Sequence, residues 1–211
     1  MKFLFDYVSP YAYLAWTQLH ALAARVGATV EPVPILFAAL LDAHGTRGPA
    51  EIPARRTYLV DDTLRSARRL GVPFTPPPAH PFNPLLALRV STIAPERALI
   101  DALFAATWAG GGGVTDPSRV AAIARDCGLD GDALVAAASS QAAKDRLRAA
   151  TGDAIDAGVF GVPTVIADGE LFWGLDSLAN LEAHLRGELA IDPSARAAWA
   201  ALPSGATRKS S

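Results

Sequence analysis

Phe3-Leu4-Phe5-Asp6-Tyr7-Val8-Ser9-Pro10-Tyr11-Ala12-Tyr13-Leu14 is the stretch on which the fold turns. Residues 3–8 are short, apolar and rich in aromatics, as a strand is. Ser9-Pro10 then supplies a helix start, with serine as N-cap and proline at the first helical position, where its missing N–H costs nothing. Ala15, Leu19, Leu22 and Val26 follow at helical spacing, and Gly27 ends the segment. Residues 29–35 read as a second strand, interrupted by Pro32 and Pro34 and so expected at a sheet edge. A small βαβ unit therefore opens the chain.

The next strand pattern arrives only at residues 163–167, and Asp168-Gly169 joins it to Glu170-Leu171-Phe172-Trp173 as an antiparallel hairpin. Between the two strand regions the pattern is helical. Leu59, Thr63, Ala67 and Leu70 form one face ringed by charge. Asp116-Pro117 starts a helix with the stripe Val120, Ile123, Ala124 and Cys127, and a third helix is expected over about 131–148. A last clear helix begins at Asp176-Ser177, carries Leu178, Leu181 and Leu185, and stops at Gly187, with a short one around 194–201. Residues 73–84, six of them proline, read as a rigid loop within the helical part. This order predicts an α/β fold: a thioredoxin-like domain made of residues 1–36 and 155–211, with an inserted all-helical domain over 37–154.

Composition removes several functions. One cysteine among 211 residues allows neither an internal disulfide nor a Cys-x-x-Cys pair. The four histidines have no ligand-like spacing, so no metal site is expected, and His20 and His184 are expected to face solvent. With 19 basic against 21 acidic side chains and no basic run, nucleic acid is excluded as the main partner. Arg208-Lys209-Ser210-Ser211 reads as a frayed tail. Asp6 interrupts the apolar stretch after Lys2, so no secretory signal is read, and no segment has the length and apolarity of a membrane span. A cytoplasmic protein without a membrane partner is the expectation.

Two constellations carry chemistry. Ser9 lies where strand turns into helix, the place at which thioredoxin-like proteins carry their reactive cysteine. Unsatisfied N–H groups and the helix dipole favour an anion there. A hydroxyl at that place can donate a hydrogen bond to a thiolate brought by a ligand, although its simplest role is that of N-cap. In Gly161-Val162-Pro163-Thr164, a proline ahead of an apolar strand can adopt a cis bond, which would present the backbone of Val162 to a peptide-like ligand. Cys127, on an apolar stripe, is expected to be a buried structural thiol. The four-glycine run from Gly110 lacks the Lys-Ser/Thr of a phosphate loop.

Taken together in order, Phe5-Asp6 through Leu14, residues 54–58 with Leu70-Gly71-Val72-Pro73-Phe74, His80-Pro81-Phe82-Asn83, residues 159–164 and Phe172-Trp173-Gly174-Leu175-Asp176 resemble the 2-hydroxychromene-2-carboxylate isomerase family. That family is similar to kappa-class glutathione transferases and belongs to the DsbA-like group of thioredoxin folds. The resemblance implies glutathione as cofactor, a homodimer, and Ser9 as the catalytic serine beside the glutathione sulfur. It implies that Val162 and Pro163 pair with the cysteinyl part, and that Trp173, Gly174, Leu175, Asp176 and Ser177 hold the γ-glutamyl end. Tyr11, Thr46, Arg55 and Asn83 are implied at the site of a small aromatic carboxylate or another electrophile, in a cleft that Trp108 is expected to help line. The chain departs from the family pattern at three of these places. Arg55 stands for a common lysine, Thr46 for asparagine, and Ser177 for an Asp-Arg pair. The implied reaction is isomerisation by reversible thiolate addition. The alternatives are conjugation of glutathione to an electrophile, as in a kappa-like transferase, and binding without catalysis.

Overall fold

The computed structural model describes residues 1–203 and 205. The tail Arg208–Ser211 lies outside the described residues. Strand β1 (Lys2–Phe5) leads into helix α1 (Pro10–Val26) and returns in β2 (Glu31–Pro34). Seven helices follow: α2 (Phe37–Ala43), α3 (Pro53–Leu70), α4 (Leu85–Ile93), α5 (Arg97–Trp108), α6 (Pro117–Asp126), α7 (Gly131–Ala138) and α8 (Gln141–Asp156). The hairpin β3 (Thr164–Ala167) and β4 (Glu170–Trp173) precedes α9 (Leu178–Leu185) and α10 (Pro193–Ala200).

The sheet order is β2-β1-β3-β4, with β1 parallel to β2 and antiparallel to β3, and β3 antiparallel to β4. This is the thioredoxin-like arrangement expected from the order of elements, with the proline-bearing β2 at one edge. Ser9 caps α1 as its sequence predicts, accepting the Ala12 N–H through Oγ, and Gly27 closes the helix at φ 68.

The two faces of β1 explain why it holds the centre. Phe3 and Phe5 point to one side, into a large aromatic cluster with Tyr7, Trp16 and Phe104; Leu4 points to the other, against Ile35, Leu40, Val159 and Val162. Phe104 of α5 lies 5.3 Å from Phe5 and 4.7 Å from Tyr7, ring centre to ring centre. The inserted helices thus share a core with the sheet, and ring pairs of this kind add about 0.5–1.5 kcal/mol each beyond their buried area.

Four expectations are corrected. The helix expected over 131–148 is two helices, because Ser140 accepts the Ala143 N–H and starts α8 afresh. Cys127 is half-exposed at the C-cap of α6, with its Sγ 3.6 Å from the Ala98 carbonyl, and not buried in the stripe. His20 does not face solvent but packs edge-on against Trp16 at 4.4 Å. His184 is also covered, its side chain 17% exposed against Phe172 with Nε2 3.4 Å from Asp168. Among the described residues no helix is long and apolar enough to cross a membrane, and no cluster of three His, Cys, Asp or Glu is placed to hold a metal ion.

Candidate active site

The strand-to-helix junction opens onto a cavity of about 840 Å³, a size typical of small-molecule sites. Its floor is the turn from β1 into α1, with Asp6, Val8, Ser9, Pro10 and Tyr11. One wall comes from α2 and the loop after it, including Thr46 and Arg47, and from Arg55 and Tyr58 of α3. The turn with His80 and Phe82, and the segment Phe160–Val162 with Trp173, complete the lining.

Ser9 is 7% exposed. Its Oγ sits 3.2 Å from the Ala12 nitrogen and 3.4 Å from the Val162 carbonyl oxygen. The second contact is long for an O–H···O bond, so the hydroxyl proton is held loosely and can turn toward a ligand. Val162–Pro163 is cis, and the Val162 N–H makes no backbone hydrogen bond among the described residues. A free N–H and a weakly engaged C=O therefore stand beside the serine.

The hairpin register carries Trp173 to the same place. Thr164 pairs with Trp173, and the Gly174 N–H donates to the Pro163 carbonyl at 2.9 Å. Ser177 Oγ donates to the Gly174 carbonyl and closes the turn into α9. Trp173 is 52% exposed and leans on Phe160, ring centres 5.1 Å apart. Gly161 permits this: a Cβ there would lie 2.5 Å from the indole Nε1. Gly174, Leu175, Asp176 and Ser177 are beside this wall and not in the cavity lining. Asp176 does not cap α9: Ser177 occupies the N-cap position, with no side-chain cap bond, and the Asp176 carboxylate is exposed.

Where the floor meets α3, the half-buried Tyr11 hydroxyl donates to Asp62 at 2.8 Å. Burial, then Asp62, raises its pKa above the phenol value. Arg47 and Arg55 line the cavity and form no ion pair among the described residues.

Two residues expected at the cleft are elsewhere. Trp108 is buried, donating Nε1–H to the Tyr7 carbonyl at 2.9 Å, and lines no part of the cavity. Asn83 accepts the Leu85 N–H at 3.0 Å, a local turn bond, and borders a separate cavity of about 300 Å³ with Arg89 and Ser139.

Two cavity residues were not singled out by sequence reasoning. Asp6 is fully buried and accepts the Val8 N–H at 3.0 Å and the Phe37 N–H at 2.9 Å. Burial pushes its pKa up to about 7, against the downward pull of those two bonds. Its signal in the sequence is a carboxylate closing an otherwise apolar strand. His80 approaches the Val8 carbonyl at 2.9 Å.

The chain matches the DSBA-like thioredoxin domain over residues 1–186. A 2-hydroxychromene-2-carboxylate isomerase from Sphingobium xenophagum is 33% identical over 189 residues, covering 88% of this chain and 97% of that one. The chain belongs to the 2-hydroxychromene-2-carboxylate isomerase family. A solved structure of a member, described as 2-hydroxychromene-2-carboxylate isomerase, superposes with a TM-score of 0.82 at 30% identity, over 88% of this chain and 94% of that one. The chain is similar to a second group as well: glutathione S-transferase kappa 2 from Caenorhabditis elegans is 30% identical, covering 80% of this chain and 81% of its own.

Proposed function

We propose that this chain is a glutathione-dependent isomerase that interconverts 2-hydroxychromene-2-carboxylate and its trans ring-opened benzylidenepyruvate isomer. The observation that carries the reading is the loosely held Ser9 hydroxyl at the N-terminus of α1, facing the Val162 carbonyl beside cis Pro163. The donors around it suit a tripeptide thiol. The Ser9 proton can leave the 3.4 Å Val162 contact for a sulfur while Oγ keeps accepting from Ala12. That hydrogen bond and the positive end of α1 both favour thiolate over thiol. Val162 offers its N–H and C=O as an added strand would find them. The turn from Trp173 to Ser177 offers the Asp176 carboxylate to an ammonium group and the amides at the start of α9 to a carboxylate.

The chemistry supplied by bound glutathione is reversible thiolate addition to a conjugated carbon, which leaves one carbon–carbon bond free to rotate. Arg55 and Arg47, both in the cavity lining, provide cationic charge for the substrate carboxylate, Thr46 a hydroxyl on the same wall, and Tyr11 and Phe160 apolar surface for its ring. Asn83, its amide oxygen taken by the Leu85 N–H and its side chain bordering the separate cavity, has no part in this reading. A cytoplasmic homodimer is part of the same reading.

The test is a turnover assay with 2-hydroxychromene-2-carboxylate in the presence and absence of glutathione. Conversion that depends on glutathione and returns all of it as free thiol is the expected result. The kappa-named relatives favour one second reading, conjugation, which the same assay recognises by loss of free thiol and appearance of an adduct.

Gly161→Ala tests the placement of Trp173. The added methyl forces the indole off the Gly161 backbone, and calorimetry is expected to show glutathione affinity reduced about tenfold, or about 1.4 kcal/mol. Unchanged affinity would separate Trp173 from the glutathione site.

A further inference from the structure

His80 belongs to the cavity wall but enters no part of the reading above. It lies between the inserted helices and the serine junction: the ring is half-buried, stands edge-on to Trp108 at 5.4 Å, and places Nε2 2.9 Å from the Val8 carbonyl oxygen. A carbonyl has no proton to give, so Nε2 must carry the hydrogen of this bond. In the neutral ring Nδ1 is then a bare lone pair, and it has no hydrogen-bond partner among the described residues. A tautomer fixed by a backbone carbonyl, one residue away from Ser9, is the arrangement that prepares an imidazole to accept a proton.

We propose that His80 is the acid–base residue of ring opening, taking the hydroxyl proton of the ring-closed substrate at Nδ1 and returning it to the phenolate oxygen. This rests on the isomerase reading. The substrate carries a hydroxyl and the ring oxygen on one carbon. As the O–H bond gives its proton to Nδ1, its electron pair forms the ketone C=O. The bond from that carbon to the ring oxygen breaks and leaves its pair on the aryl oxygen. The proton on Nδ1 then passes to that oxygen and restores the neutral imidazole. No oxidant or reductant is needed.

The surroundings keep the ring neutral for this role. Burial lowers its pKa below the ordinary 6.5 and the guanidinium of Arg56 on α3 lowers it further, against the Val8 carbonyl, which raises it. Arg55 lines the same cavity as a cation, Asp6 lines it with its carboxyl protonated below about pH 7, and the α5 residue packed on the ring is the uncharged Trp108.

The experiment compares the unmodified protein with His80→Gln and His80→Ala. A glutamine amide reaches as far as Nε2 and can donate to the Val8 carbonyl, so the loop keeps its anchor while the base is lost. With glutathione saturating, turnover of 2-hydroxychromene-2-carboxylate by His80→Gln is expected to fall roughly 10²–10⁴-fold. The unmodified protein is expected to show an acidic limb in its pH profile below pH 6.5 and His80→Gln to lack it, with calorimetric glutathione affinity within twofold. Added imidazole is expected to restore part of the turnover of His80→Ala. Nitrogen-15 spectra of the protein without glutathione should show His80 protonated at Nε2 and bare at Nδ1. Turnover of His80→Gln within threefold, a retained acidic limb, a ring bare at Nε2, or glutathione affinity lost in both variants would each overturn the assignment. Turnover by the unmodified protein that is indifferent to glutathione overturns the Ser9 reading beneath it, and is seen before any variant is compared.

Discussion

Ser9→Ala is expected to lower glutathione-dependent turnover about 10²–10³-fold, the usual consequence of removing one hydrogen bond aimed at a reacting anion in a site shielded from water. The same hydroxyl has two duties, and they separate by magnitude. As N-cap it accepts the Ala12 N–H at 3.2 Å, and losing that costs about 1 kcal/mol of stability. As donor, its proton is spent on nothing stronger than the 3.4 Å contact with Val162. A pure cap would therefore show a modest fall in unfolding midpoint with turnover nearly intact, whereas a sulfur donor shows the large fall in rate. Thiolate absorbance of bound glutathione gives an independent measurement. Its pKa is expected to rise in the variant, because one of the two groups favouring the anion is gone and only the α1 dipole remains. Ser9→Cys discriminates further: a thiol is a weak donor and should not restore the rate, although the position then holds a reactive cysteine. Turnover of Ser9→Ala within a fewfold of the parent would remove the hydroxyl from the mechanism.

How much of this was legible before the structure depends on whether the partners of a residue are local. Ser9-Pro10 announces a helix start through its own backbone, and Asp168-Gly169 announces a hairpin in the same way. Both elements stand where the sequence predicts them, and with them the sheet that brings residues 9 and 162 together. The break between α7 and α8 was not legible, because the Ala-rich pattern runs through it and only the Ser140 cap interrupts it. Cys127 satisfies the helical spacing of its stripe, but its helix ends there, and at the C-cap it packs against the core while staying partly exposed. Asn83 shows local chemistry prevailing: its carboxamide is used by the Leu85 N–H two residues on. Asp6 and His80 are the opposite case. Their chemistry comes from Phe37, 31 residues away, and from Val8, 72 residues away, and no window of sequence contains both ends of such a bond.

Asp6 makes the second large prediction, read as stability against pH. Below about pH 4 the carboxyl is protonated in both the folded and unfolded chain. Between about pH 4 and pH 7 the unfolded chain releases the proton while the folded protein, with its pKa pushed up to about 7 by burial, keeps it. The folded state then binds more protons than the unfolded, so stability falls as pH rises through this window and levels off above it. At about 1.36 kcal/mol per unit the fall attributable to this one group is roughly 4 kcal/mol, a large share of the stability of an ordinary domain. Asp6→Asn removes the titration. It also leaves one of the Val8 and Phe37 N–H groups facing an NH₂ instead of an oxygen, a cost of about 1–3 kcal/mol that does not vary with pH. Urea unfolding of both proteins at pH 4.5 and pH 8 is therefore expected to show the parent ahead at the lower pH and the difference shrinking, or reversing, at the higher. Parallel curves would mean that Asp6 is ionised in the folded protein across the whole range. The carboxyl would then have to be held charged by its two N–H donors alone. It lies 0% exposed at the floor of the cavity, so that result would place a fixed negative charge beneath Ser9, where it would oppose the thiolate that α1 favours.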